Sequence, residues 1–238
     1  MPSAAQAHGA SEAIAAFAAA PHAGSSYEEA LRSARLRLVA ARAALETPTA
    51  TSAIAERALA SGGPALRRAF VTAMVLAGRP ETCSDAAIVA ATLATGDADA
   101  RDDSAACVAI AIGREVAARL QRALVLDAPW DASAVADRMG AAMAAARVAG
   151  LDAESTRHAL GLAATQASGL GVTVGTAAGE ITRGRAAADA VEGAALAREG
   201  ITSAPASLEG RRALAALMAS SFDEAKLCDG LGGRWISA

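Results

Sequence analysis

Lysine is almost missing from this chain: Lys226 is the only one among 238 residues. A single amine is therefore available for acid–base or Schiff-base chemistry. The basic residues are nearly all arginine and do not cluster, and the formal net charge is −3. No nucleic-acid surface is indicated. Aromatics make up 3% of the sequence, so they contribute little to any core. Cys83, Cys107 and Cys228 are odd in number and widely spaced, which shows neither a disulfide framework nor a metal-ligand spacing. The longest apolar runs, such as 105–113, fall far short of the roughly 20 residues a membrane span needs. The start lacks a basic segment followed by a leucine-rich run, so no secretory signal is expected. These absences point to a reduced, cytoplasmic protein without a nucleic-acid or membrane partner. No alternating run of Val, Ile, Thr and Tyr is long enough to read as a strand.

Alanine is plentiful. Hydrophobic residues make up 53% of the chain, and much of that share is Ala, the best helix former. A chain this long can bury roughly 70–75% of its unfolded surface. The pattern predicts an all-α bundle of about ten closely packed helices, with residues 1–10 disordered and 11–238 forming a single helical domain. Ser11 and the Ser26/Glu29 capping box start the first two helices. Leu31, Ala34, Leu38, Ala41 and Leu45 share one face of the second. Pro64 suits a first helical turn. Ser84 or Asp85, Asp131 and Asp152 are read as N-caps. A helix after Asp102 repeats Val108, Ile112, Val116 and Leu120 at spacings of four, and carries Glu115 and Arg119 in the favourable i,i+4 order. Further helices are expected over about 184–199 and 205–220. Asp97-Ala-Asp99 resembles the start of a calcium loop but lacks its central Gly and terminal Glu, and reads as a solvated loop.

The stretch from His158 to Gly210 organises the rest. Two small-residue helices flank a Gly/Thr-rich turn: His158-Ala-Leu-Gly, Gln166-Ala-Ser-Gly169, Gly175-Thr176, Gly184-Arg-Ala-Ala-Ala188 and Gly193-Ala-Ala-Leu-Ala197 follow in order. The turn offers backbone amides to a carboxylate. Gly113-Arg-Glu115-Val-Ala-Ala-Arg119, Gly140-Ala-Ala-Met-Ala-Ala-Ala-Arg147 and Gly230-Leu-Gly-Gly-Arg-Trp235 complete the pattern. Their order and spacing, clear from about Ile88 to Trp235, resemble the helical domain of the MmgE/PrpD family, which includes 2-methylcitrate dehydratases, cis-aconitate decarboxylases and iminodisuccinate epimerases. The resemblance implies a homodimer paired through that domain. It also implies a following α+β lid, which the stop at Ala238 is expected to omit.

Two family motifs carry chemistry. Against Asp-x-Asp-Asp-Thr with a following His-Pro stands Arg79-Pro-Glu-Thr-Cys-Ser-Asp85, where Thr82 matches the Thr and Glu81 stands in for the last Asp. Cys83 or Ser84 takes the place of the histidine. Against Gly-Thr-x-x-Lys, Gly175 and Thr176 match, while Gly179 holds the lysine position and Glu180 follows. Dehydrating or decarboxylating a polycarboxylate moves a proton on or off carbon and needs cations for the carboxylates. The expected catalytic set is therefore Glu81, Thr82 and Glu180. The expected substrate-binding set is Gly175, Thr176, Arg183 and Arg185, the arginines gripping a carboxylate bidentately. No cofactor or metal is expected. Two functions stay open: a lyase or isomerase acting on, or binding, a small di- or tricarboxylate through a rewired site, and a non-catalytic helical scaffold that dimerises or complements a second, lid-bearing subunit.

Overall fold

In a computed structural model of the chain, which describes residues 9–60, 63–96, 103–127 and 129–237, the small residues of the sequence become helix crossings. The helices in order are α1 (Ala10–Ala19), α2 (Ser25–Leu45), α3 (Ala50–Ala58), α4 (Pro64–Ala77), α5 (Ala86–Thr95) and α6 (Asp103–Ala123). They continue with α7 (Ala132–Val148), α8 (Ala153–Thr165), α9 (Ala177–Arg198), α10 (Leu214–Met218) and α11 (Glu224–Cys228). The all-α class and the helical bundle follow the sequence reading, with eleven helices among the described residues. Residues 1–8 and 97–102, with the acidic loop, lie outside the described residues.

Where sequence and structure differ, the side chains explain it. Ala10 opens α1 and is fully buried, so order begins before Ser11. Ser11 is no cap; its hydroxyl donates to Glu209 Oε2 at 2.6 Å. α2 begins behind Gly24, at φ +106°, and shows no side-chain cap. Asp85 precedes α5 but does not cap it; its carboxylate faces Arg37 and Arg114 instead. The helix expected from Pro205 shrinks to α10, since a turn-rich segment with Gly210 precedes it. Two short antiparallel strands appear, β1 (Leu124–Leu126) and β2 (Ala219–Phe222). Three and four residues are too few to show a period of two in the sequence. The caps Asp131 and Asp152 hold, accepting from the Ser133 and Ala134 amides and from the Ser155 amide. No helix among the described residues is long and apolar enough to cross a membrane.

The core is centred on α5, α6 and α7. Ile88, Ile110, Ile112, Leu120, Met139 and Met143 are all buried there. α6 and α7 cross at two glycines from separate motif segments. A Cβ on Gly140 would lie 2.4 Å from the Gly113 oxygen, and one on Gly113 would lie 2.7 Å from the Gly140 oxygen. Neither obstacle is a flexible side chain, so the helices would have to separate. Gly140→Ala is expected to lower stability by about 1–3 kcal/mol through overpacking. Urea unfolding measures this, and an unchanged midpoint would count against the close crossing.

The segment after β2 is strapped over α6. Arg119 Nη1 donates to the carbonyls of Leu227 and Asp229 at 2.9 and 2.8 Å, and Nη2 to that of Arg234 at 2.7 Å. Its Nε donates to Glu115 Oε1 at 2.6 Å. Glu115 Oε2 in turn accepts from the Ile236 and Ser237 amides at 2.8 and 3.0 Å. Trp235 completes the strap by packing among Phe17, His22 and Tyr27.

Candidate functional site

The loop after α4 and the turn before α9 meet across one groove of about 660 Å³. Arg79, Pro80, Cys83 and Ser84 form one wall; Val174, Gly175, Thr176, Gly179, Glu180 and Arg183 form the other. Gln121, Asp131 and Ser133 line it as well. The chain turns sharply at Gly175, whose φ of +77° suits glycine. Thr176 then caps α9: its hydroxyl donates to the Thr173 carbonyl at 2.6 Å and accepts from the Gly179 amide. The positive end of a 22-residue helix thus borders the groove. α9 itself is positioned by close packing on α4, where a Cβ on Gly184 would meet the Phe70 oxygen at 3.0 Å.

Four of the seven residues singled out from sequence line this groove: Gly175, Thr176, Glu180 and Arg183. Glu180 is half-buried and accepts from the Thr51 hydroxyl at 2.7 Å. Arg183 is committed inward. Its Nη1 donates to Asp137 Oδ2 at 2.7 Å, and its Nη2 to Ser133 Oγ at 2.6 Å and to Asp131 Oδ2 at 3.3 Å. Three residues are not on the groove wall. Glu81 is exposed on the loop between wall residues. Thr82 is buried and donates its hydroxyl to the Leu76 carbonyl at 2.7 Å, closing the end of α4. Arg185 points outward, 5.8 Å above the Phe70 ring and 4.0 Å from Asp189.

Sequence reasoning missed two parts of the site. Arg79 lines the groove; its guanidinium donates to the Thr47 carbonyl, while its buried Nε has no hydrogen-bond partner. Behind the groove sits an acidic group, Asp85, Asp131 and Asp137, each buried. Burial pushes the Asp137 carboxyl up to about 8 despite the pull of Arg183, and the nearby Asp85 and Asp131 charges push the same way. Burial also raises Asp85, opposed by Arg37 and Arg114. Asp137 lies within α7 in an Ala- and Met-rich run, where the one-dimensional pattern gives it little prominence. An Asp at such a position is unusual company for Ala and Met, and that was the one available signal.

A second cleft, of about 610 Å³, lies among Trp130, Gly161, Pro205, Leu214, Leu217 and Met218. Its walls are mostly apolar and bring no acid–base pair together.

His158 sits apart from both sites' polar walls and accepts from the Ser203 amide at 3.0 Å. Ser168 of the Gln-Ala-Ser-Gly segment accepts from Arg138 Nη2 at 3.1 Å. The next two residues pair with the chain leading into α7: the Asp131 amide donates to the Gly169 carbonyl at 2.9 Å, and Trp130 bridges to Leu170. The motif segments are thereby tied to each other around the groove.

No curated protein matches the chain. The family model described as the MmgE/PrpD N-terminal domain matches residues 76–226. The matched span is well over half of the chain and contains both walls of the groove, and the chain belongs to the MmgE/PrpD family.

Proposed function

We propose that the chain is a lyase- or isomerase-related protein whose groove binds, and acts on, a small di- or tricarboxylate without the lysine and histidine of the family motifs. The observation that carries this reading is Arg79, a groove cation with a buried and unpartnered Nε, facing the capped start of α9. Both favour an anion. Arg183 serves chiefly to hold the acidic group in place, since its donors are already engaged. Glu180 borders the site as a fixed acceptor, and Gly175 and Thr176 supply its turn. Arg185, Glu81 and Thr82 carry less weight than the sequence alone assigned them. The proposed setting is the cytoplasm, in keeping with Cys83, Cys107 and Cys228 all being unpaired.

Titration calorimetry with citrate, tricarballylate and succinate tests the reading. At least one should bind, and Arg79→Ala should weaken it on the order of 10- to 100-fold, the loss of a charged hydrogen bond. No heat with any of the three contradicts it.

A second reading, a helical partner subunit without catalysis, is favoured by exposed apolar side chains on the segment that leads into the Gly175 turn. Leu170, Val172 and Val174 are 53%, 85% and 62% exposed. The homodimer implied by the resemblance also stays a proposal, which a monomeric mass by light scattering would contradict.

A further inference from the structure

A smaller cavity of about 190 Å³ adjoins the groove, and Ser84 and Gln121 belong to the walls of both. Its remaining polar walls include Asp85, Arg114 and Asp137. The side chains of Asp85 and Asp137 are 6% and 2% exposed. Asp85 Oδ2 has no hydrogen-bond partner, although Arg37 Nε and Arg114 Nε approach it at 3.4 and 3.3 Å. Asp137 has one cation, Arg183, which it shares with Asp131. Two neighbouring carboxyls with such unequal cation support differ in how readily each keeps a proton, which is the basis of an acid–base pair.

We propose that this inner cavity is the reacting end of the groove, and that Asp137 moves a proton to and from carbon on a small carboxylate reaching into it. The proposal rests on reading the groove as a carboxylate site. In the step, ionised Asp137 takes the hydrogen from the carbon beside a substrate carboxylate. The electron pair of that C–H bond passes into the carboxylate, which becomes an enediolate. Asp137 then returns a proton to the carbon, and the pair re-forms a C–H bond. Nothing is oxidised or reduced and no co-reactant is consumed. Arg114, on the cavity wall, is the cation placed to balance the added charge.

Three charged groups act on Asp137: Arg183 from α9, Asp85 from the turn before α5, and Asp131 at the cap of α7; Arg114 from α6 shares the cavity wall and pairs with Asp85. The base form of Asp137 is populated above about pH 8. Exchange of carbon-bound hydrogen should therefore rise with pH through that value and then level off.

The test uses the whole chain in deuterium oxide with citrate, tricarballylate and succinate in turn. Proton NMR follows loss of carbon-bound hydrogen, and saturation transfer follows binding separately. Expected is exchange in at least one acid. Asp137→Asn should slow it on the order of 10²–10⁴-fold with saturation transfer retained. Asp85→Asn should move the midpoint of the wild-type pH profile to lower pH, an effect that a merely structural Asp137 would not produce. Binding without exchange, a flat wild-type pH profile, or wild-type exchange by Asp137→Asn each overturns the proposal while leaving the carboxylate groove standing. If none of the three acids binds, both readings fall together.

Discussion

Arg119→Leu is expected to destabilise the fold by about 3–5 kcal/mol, because it leaves the Glu115 carboxylate buried without its cation. That is a large share of the 5–15 kcal/mol that holds a typical domain folded. Both side chains are 1% exposed. The loss extends beyond the pair, since the carbonyls of Leu227, Asp229 and Arg234 lose their donor at the same time. An isolated buried ion pair can often be replaced by two apolar residues with little penalty. Here the double variant Glu115→Leu/Arg119→Met should stay unstable, because the strap's backbone groups would remain unsatisfied. Chemical denaturation measures the loss, and limited proteolysis should find residues 224–237 released first. A double variant of wild-type stability would show that the strap is held by something else, with the Trp235 cluster the first alternative.

The second large effect is a dependence of stability on pH. The folded Asp137 carboxyl stands at about 8, against about 3.9 for an unfolded Asp. Between those values the folded chain holds a proton that the unfolded chain has released. Stability from this group is therefore complete below the unfolded value, falls as pH rises through the window, and levels off above about 8. The slope approaches 1.4 kcal/mol per pH unit, and the whole change is on the order of 5 kcal/mol. Asp137→Asn removes this slope. It also disturbs the bond to Arg183, a roughly constant offset, so the useful quantity is the difference between variant and wild type. That difference should shift in the variant's favour with each pH unit from mildly acidic to mildly alkaline. Parallel curves would mean that Asp137 is ionised in the folded protein throughout.

The sequence made some features easy to read and concealed others, for physical reasons. Pro64, Asp131 and Asp152 act through the adjacent backbone, so position alone revealed them. The Glu115–Arg119 pair was visible as an i,i+4 spacing, but its partners lie more than 100 residues away and gave no local sign. The two motif segments were expected to belong together, and Arg79, Gly175 and Thr176 do line one groove. Asp85 misled because an acid just before a helix reads as a cap, whereas the fold turns it toward Arg37 and Arg114. Arg183 and Arg185 look equivalent in sequence. Two positions along α9 send one inward to Asp137 and the other into solvent, where its side chain is 61% exposed. The inner acids were the least legible: burial, which sets their protonation, is decided by the crossing of α5, α6, α7 and α9 rather than by neighbours in the chain.

The proposed small carboxylate sits between the 79–84 loop and the start of α9. Cys83 lines that groove and is partly exposed, while Cys228, also partly exposed, lies on α11 outside it. The direct measurement is peptide-resolved alkylation of both thiols with and without saturating tricarballylate or citrate. The acid should slow labelling of Cys83 and leave that of Cys228 unchanged. Equal labelling of Cys83 in the presence and absence of each acid would contradict it.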